Sequence, residues 1–578
     1  MYSLGINAAF HDCSATLVRD GVVLAAAEEE RFTRIKHGKR PVPFSTWQLP
    51  YHAIDYCLAE AGIALRDVDQ LVYAFDPALL ADPPQADGHI VLPLEPSRAA
   101  ARPHEGSPWD PLFTSYVLNA PRQLLDGAPH HLQARFEGLT LEHILSRWTF
   151  LDHHLSHEAS AFLAAPCEES AVLTLDGRGE RTSTSFGLFR DGRYTRLKQI
   201  ELPHSLGLLY EEVTRYLGFL HSSDEYKVMA LASFGQPEYL RQFREIVRLE
   251  EQGGYRLEPA RLEQRFGPAR KRGAPFETRH KNLASSLQHV LEETALHMAG
   301  WLQRETGAAN LCMAGGVALN CVMNARLSRD GPFDSVWVQP AAGDSGTSLG
   351  AALYVDHQRR GGPRRWAMEH AYLGPAYDDE EIERFLYRSR LAFRKLDDVA
   401  EEAAELLAQE KILGWFQGRM EFGPRALGAR SILASPLDSG MQARLNGLKD
   451  REDFRPVAPV VLEDRAHEWF DARGEQPLCA PFMLFVYDVL PHRAAQIPAV
   501  RHIDGTARVQ TVRRDQNARY HDLLAAFERR TGVPVLVNTS FNTRGEPVVC
   551  SPRDAVECFW TSPLDALVIG SYLVEKPR

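Results

Sequence analysis

The sequence predicts an α/β protein of two domains, the first built from two like halves. Three observations carry this. The chain has 578 residues, more than one hydrophobic core normally organises. Residues 3 to 30 and 171 to 200 repeat one pattern: an apolar strand entering a loop, a β-branched return strand, and a hairpin turn at Arg19-Asp20-Gly21 or Arg190-Asp191-Gly192. Residues 310 to 324 and 335 to 355 each read strand, glycine turn, helix, the alternation of an α/β protein.

In chain order, the first repeat carries His11-Asp12 in its loop and the second carries Asp176-Gly177. Pro, Ala and His residues with weak periodicity follow residue 76, so 76 to 150 is expected to be an insertion or lid. Gly361-Gly362-Pro363-Arg364-Arg365 reads as a linker, which divides the chain into domains of residues 1–365 and 366–578. Residues 378 to 391 and 398 to 411 read as helices framing the second α/β unit.

Composition narrows the function classes. With 44% hydrophobic and 24% charged residues the chain is an ordinary globular protein. A net charge of -11 and a pI near 6.1 argue against a nucleic-acid partner, while leaving room for a local pocket for small anions. The first residues lack a basic and apolar leader pattern and no apolar run is long enough to span a bilayer, so a cytoplasmic location with no membrane partner is expected. Eight cysteines without a Cys-x-x-Cys argue against a disulfide framework or a thiolate zinc site.

The chemistry-bearing residues fall in two groups. His153 and His157 are four apart, so on a helix they share a face, the spacing at which two imidazoles hold one metal ion. Asp176 and Asp344 each follow an apolar run at a glycine turn and complete a candidate His2Asp2 shell, a mixed set suited to Fe(II), Mn(II) or Zn(II). No His-Glu-x-x-His occurs, so a zincin protease is not indicated. Gly315-Gly316, with Asn320 beyond, follows a strand and opens a helix, where a nucleotide could approach the backbone; tight helix packing explains such a pair equally well. His11, as a proton acceptor, and Lys227 are placed near the same cleft.

In the second domain, Arg419, Arg425, Arg430, Lys449, Arg451, Arg455 and Arg508 surround glycine and proline turns. Turn-fixed guanidiniums suit polyphosphate, against the alternative of salt bridges to the acidic residues. Asn538-Thr539-Ser540-Phe541-Asn542 caps the apolar run 533 to 537, which brings Asn538 and Ser540 out at a strand end. No base adjoins Ser540 in sequence, so it reads as a ligand contact rather than a nucleophile.

Together with Ala27-Glu28-Glu29-Glu30-Arg31-Phe32-Thr33-Arg34 and Tyr226-Lys227-Val228-Met229, these motifs resemble the bacterial O-carbamoyltransferases of natural-product and nodulation-factor biosynthesis, the tobramycin-carbamoylating type above all. The resemblance runs over nearly the whole chain. It implies a duplicated first domain of the actin, sugar-kinase and heat-shock-ATPase superfold, and a second domain similar to a carbamoyl-adenylate synthase. It further implies that carbamoyl phosphate and ATP with Mg(II) give carbamoyl adenylate in the second domain. The carbamoyl group then passes to a hydroxyl of a small natural product, such as an antibiotic or sugar, at the metal site. On this resemblance His153, His157, Asp176 and Asp344 are the metal ligands and His11 is the base or orienting group. Arg425, Arg430, Lys449, Arg455, Arg508, Asn538 and Ser540 form the adenylation pocket, with Arg425, Lys449, Arg455 and Ser540 acting in catalysis. The competing readings are a small-molecule kinase of the same superfold, threonylcarbamoyl transfer to tRNA, and an ATP-switched chaperone.

Overall fold

The computed structural model describes residues 1–38, 48–80, 127–472, 478–543 and 545–576. It divides into two units: residues 1–228, 237–319 and 330–367, and residues 229–236, 320–329 and 368–578. Asn320 therefore belongs to the second unit and Lys227 to the first.

The repeat read in the sequence is a repeat of topology. In the first unit β1 (Tyr2–Asn7), β2 (Ser14–Arg19) and β3 (Val22–Glu28) form an antiparallel meander, and β4 (Gln70–Tyr73) and β5 (Trp148–Phe150) extend it in parallel, giving the order β3-β2-β1-β4-β5. β6 (Ser170–Leu175), β7 (Thr182–Arg190) and β8 (Arg193–Glu201) form the second meander. After a small hairpin of β9 (Val247–Leu249) and β10 (Tyr255–Leu257), β11 (Asn310–Ala314) and β12 (Ser335–Val338) complete the order β8-β7-β6-β11-β12. The two sheets have one strand order and one pattern of directions. Both meanders turn on left-handed residues, Asp20 and Gly21 (φ 49° and 85°) and Asp191 and Gly192 (φ 53° and 71°), the conformation a tight hairpin demands.

The expected insertion over 76 to 150 needs correction. Residues 81–126 lie outside the described residues, but Ala128, Leu132 and Ile144 are buried in the core of the first sheet and β5 is one of its strands. His130 and His131 interrupt the helical periodicity, which disguised a core segment.

The second unit is built on an eight-stranded mixed sheet. Its strands are β13 (Phe393–Lys395), β14 (Leu413–Phe416), β15 (Arg430–Ala434), β16 (Ala458–Leu462), β19 (Gln510–Val512), β20 (Val535–Ser540), β21 (Ala566–Ile569) and β22 (Tyr572–Glu575), in the order β13-β22-β21-β14-β15-β20-β16-β19. β17 (Val486–Asp488) and β18 (Thr506–Arg508) make a separate ribbon. The two helices expected after the linker run Asp379–Arg388 and Val399–Ala408, each N-capped by an aspartate, Asp378 and Asp398. The core gathers Trp415, Phe416, Ile432, Leu536 and Val568. Each such side chain contributes about 1.5–3 kcal/mol on burial.

Candidate functional site

In the first unit, helix His153–Phe162 starts at the N-cap Asp152, which accepts from the Leu155 amide (2.6 Å), while Glu180 accepts from the His153 amide (3.0 Å). Two carboxylates at the positive helix end hold this first turn. Four-residue spacing then sets His153 and His157 on one face, both fully buried. Asp176 leaves the end of β6, and its Oδ1 accepts from the Gly316 amide (2.8 Å). Asp344 stands at the N-terminus of helix Ser345–Arg360, not at a strand end. Gly350 lets that helix lie against His153–Phe162: a Cβ there would come 1.8 Å from the Ser156 carbonyl oxygen.

The four side chains converge. His153 Nε2 is 3.7 Å from both Asp176 Oδ2 and Asp344 Oδ1, and His157 Nε2 is 3.9 and 3.7 Å from the same atoms. These separations are too long for hydrogen bonds. Both Nε2 atoms are buried without a hydrogen-bond partner among the described residues. Four ligand atoms facing one gap at this spacing fit a divalent cation bound at about 2.1 Å. His153 Nδ1 faces the Ala74 carbonyl (3.2 Å), which keeps the proton there and the Nε2 lone pair toward the gap. Burial opposes charge here. Even so, Asp176 and Asp344 hold His153 well above the ordinary imidazole range, and the imidazoles hold both carboxylates below theirs.

His11 borders this cluster, with Nε2 3.9 Å from Asp344 Oδ2 and a side chain 39% exposed, open to a second reactant. Its Nδ1 bonds Asp12 (2.9 Å), whose other oxygen takes His37 Nδ1 (2.8 Å), and His37 Nε2 meets Ser223 Oγ (3.1 Å). Asp12 thereby fixes the tautomer that turns His11 Nε2 to the cluster. Asp12 and His37 are left-handed (φ 51° and 67°), strain that the loop sustains to make this contact. Burial disfavours a charge on His11, yet Asp344, Asp12 and Asp176 lift it to about 10. A cation between Asp176 and Asp344 would cancel much of that pull and favour the neutral imidazole. His37, separated from His11 by a strand pair, gave no signal in sequence.

Three expected contacts in this region have other partners. Lys227 pairs with Asp224 (3.1 Å) and lies over the Phe219 ring. Gly315 is left-handed (φ 93°), and a Cβ on it would meet the Leu175 carbonyl oxygen at 2.2 Å, so tight packing explains it. Residues 316 to 319 form a 3₁₀ turn before the helix, and Gly316 is committed to Asp176. Asn320 Oδ1 caps the Met323 amide in the second unit (3.0 Å).

In the second unit Lys449 follows helix Met441–Leu448 and is buried. Its ammonium, with three N–H groups, lies within hydrogen-bonding distance of four oxygens: the Ser540 carbonyl (2.5 Å), Ser540 Oγ (3.2 Å), the Asn542 carbonyl (3.0 Å) and Asn542 Oδ1 (2.6 Å). Every one of these oxygens is neutral. Burial first, then the nearby Arg451 and Arg455, hold the ammonium well below the usual lysine range, and Arg455 also presses on Arg508. Cations crowded around uncharged oxygens make this cluster electropositive, an arrangement suited to an anion. Arg455 lies 3.7 Å from Glu452. Ser540 is the last residue of β20, paired with β15, and Asn538 lies two residues inside the strand between β15 and β16.

Arg425 sits in a loop held by Glu421, whose Oε1 accepts from the Leu427, Ala429 and Arg430 amides (2.7, 2.7 and 3.3 Å). Arg430 corrects the sequence reading. It is fully buried over the Phe416 ring (3.7 Å) and donates to the Gln417, Gly418, Ala429 and Pro375 carbonyls, so its guanidinium ties loops to the sheet instead of facing an anion. Arg419 is likewise spent on the Gly374 and Leu373 carbonyls. Glu421 was missed because a lone glutamate has no signature.

Comparison with known sequences separates the two clusters in the same way. Residues 2–353 match the family described as Carbamoyltransferase N-terminus, and residues 404–576 match Carbamoyltransferase C-terminus. The chain belongs to the carbamoyltransferase family. This carbamoyltransferase is 41% identical to nodulation protein NolNO of Sinorhizobium fredii, over 99% of this chain and 80% of that one. It is 42% identical to nodulation protein NolO of Bradyrhizobium diazoefficiens, over 74% and 79%. An uncharacterised Synechocystis protein is 38% identical over 99% and 96%. The enzyme's His2Asp2 cluster falls in the first matched segment and its Lys449 cluster in the second. The kinase reading is not favoured by these matches. Among the described residues, no helix is long and apolar enough to cross a membrane.

Proposed function

We propose that this carbamoyltransferase is ATP-dependent and acts in two steps. In the second unit, carbamoyl phosphate, ATP with Mg(II) and one water give carbamoyl adenylate, phosphate and pyrophosphate. In the first unit a hydroxyl of a small acceptor, an antibiotic or a sugar, takes the carbamoyl group; its proton leaves and AMP is released. The observation that carries this reading is the buried Lys449 ammonium, held among the described residues by neutral oxygens beside Arg451 and Arg455. Such a site binds the charge of the phosphoryl groups and spreads it as their bonds break. Arg425, Arg455, Arg508 and Ser540 are assigned to the same pocket.

In the first unit, His153, His157, Asp176 and Asp344 would hold Fe(II), with Mn(II) and Zn(II) as alternatives that the same donors accept. When bound, the ion supplies a Lewis acid that polarises the carbamoyl carbonyl. The protein's own residues do the rest. Asp12 holds His11 with Nε2 forward, and that nitrogen accepts the proton of the incoming hydroxyl.

The test needs no acceptor. Purified enzyme with ATP, Mg(II) and carbamoyl phosphate is expected to release pyrophosphate only when carbamoyl phosphate is present, and Lys449→Ala is expected to lower that rate by about 100- to 1,000-fold. ADP formation independent of carbamoyl phosphate would overturn the reading.

A further inference from the structure

Cys167 and Cys312 are 145 residues apart in sequence, yet their sulfurs lie 3.6 Å from each other in the first unit. Cys167 sits in the connection between helix His153–Phe162 and β6, partly buried between the exposed Pro166 and Glu168, whereas Cys312 is fully buried on β11. The contact is set by the backbone around it. Asn310 Nδ2 donates to the Glu169 carbonyl (3.0 Å), which seats the connection on β11, and Cys312, two residues along the strand, projects from the same face as Asn310. The Arg364 guanidinium, which donates to the Phe162 carbonyl at the end of the helix (3.1 Å), brings a positive charge to the pair.

The two thiols are unequal. The Cys312 thiol, and then Arg364 against the cost of burial, favour the Cys167 thiolate and hold its pKa below the ordinary thiol range, while burial raises that of Cys312. One sulfur is thus a nucleophile that a small oxidant can reach. The other is a protonated thiol shielded from solvent, in contact with the first. A disulfide about 2.05 Å long needs the sulfurs to close by about 1.5 Å, within the reach of a side-chain rotation at Cys167.

We propose that Cys167 and Cys312 are a modification site for hydroperoxides, at which Cys167 reacts and Cys312 resolves the product as a reversible disulfide. The Cys167 thiolate attacks an oxygen of hydrogen peroxide, the O–O bond breaks, and a sulfenic acid forms as hydroxide leaves. The Cys312 thiol then attacks that sulfur; the S–O bond breaks, the hydroxyl leaves with the thiol proton as water, and the disulfide remains. The thiol pair is oxidised by two electrons and the peroxide is reduced by two. The bond joins the connection that leads into β6, the strand that ends beside Asp176, to β11. It also spares Cys167 from irreversible oxidation to sulfinic acid.

The experiment treats the purified protein with equimolar hydrogen peroxide and maps its peptides. Cys167 is expected to be joined to Cys312 and the free thiols to fall from eight to six, with dithiothreitol restoring them. The bond should form about tenfold or more faster than the exposed Cys479 is oxidised. In Cys312→Ala, dimedone should label Cys167, and excess peroxide should carry it to a sulfinic acid that dithiothreitol does not reverse. In Cys167→Ala, Cys312 should stay reduced. A wild-type protein that oxidises Cys479 first, or that forms no bond between Cys167 and Cys312, overturns the proposal without any variant, so the test survives a variant that does not fold. Dimedone labelling of Cys312 in Cys167→Ala, with none of Cys167 in Cys312→Ala, would reverse the assigned roles and overturn it too.

Discussion

The two clusters of this enzyme solve opposite electrostatic problems. The His2Asp2 cluster buries two carboxylates together beside imidazoles whose Nε2 atoms lack hydrogen-bond partners, an arrangement that asks for a cation. The Lys449 cluster buries an ammonium among neutral oxygens beside two arginines, an arrangement that asks for an anion. In each, burial penalises the charge: the imidazoles offset this for Asp176 and Asp344, whereas Lys449 is held well below the usual lysine range. Uncompensated buried charge is costly enough that it marks binding sites better than pocket shape does. On the proposed two-step reaction the difference would also sort the chemistry: an electrophile would be activated at the His2Asp2 cluster, and phosphate charge dispersed at the Lys449 cluster.

The largest effect should come from Asp344→Asn. It removes one of two buried charges, and carbamoyl transfer from preformed carbamoyl adenylate to an acceptor is expected to fall about 1,000-fold or more, with the bound metal lost on elemental analysis. Pyrophosphate release should persist in that variant, and its loss there would erase the division of labour between the clusters. Asp12→Asn is expected to be milder, about 10- to 100-fold in transfer, because it disturbs the orientation of His11 rather than the metal donors. An effect on pyrophosphate release equal to that on transfer would contradict the placement of His11.

The smallest effect is a pH dependence. Lys449 binds an anion only when protonated, and its pKa in the free enzyme lies below the ordinary 10.5. Affinity for carbamoyl phosphate should therefore be full below that depressed value and fall as pH rises through it, about tenfold per unit above it. Titration calorimetry from about pH 7 to 10 checks this. Lys449→Arg, whose guanidinium stays charged, should flatten the curve. A wild-type affinity that holds constant up to the ordinary lysine range would show that Lys449 is not the titrating cation.

The duplicated sheet was legible because its hairpins are local: Arg19-Asp20-Gly21 and Arg190-Asp191-Gly192 encode their own turns. The histidine pair was legible for the same reason, since helical spacing puts His153 beside His157 whatever surrounds them. The second unit's cations were legible as a set but not one by one. Arg425 and Arg430 belong to one glycine-rich stretch of sequence, and only the fold makes Arg430 the first residue of β15, stacked on Phe416, while Arg425 stays in the Glu421-held loop.

By itself, then, the sequence determined the repeated strand pattern, the helical histidine pair and the supply of cations, all of which are set within a few residues. Tertiary structure alone decided that Asp344 joins His153, that His37 reaches His11 through Asp12, and that Gln510 holds the Asn538 amide. Those contacts join residues far apart in the chain. Their geometry depends on where helices cross and strands pair, as at Gly350, and no local periodicity encodes that.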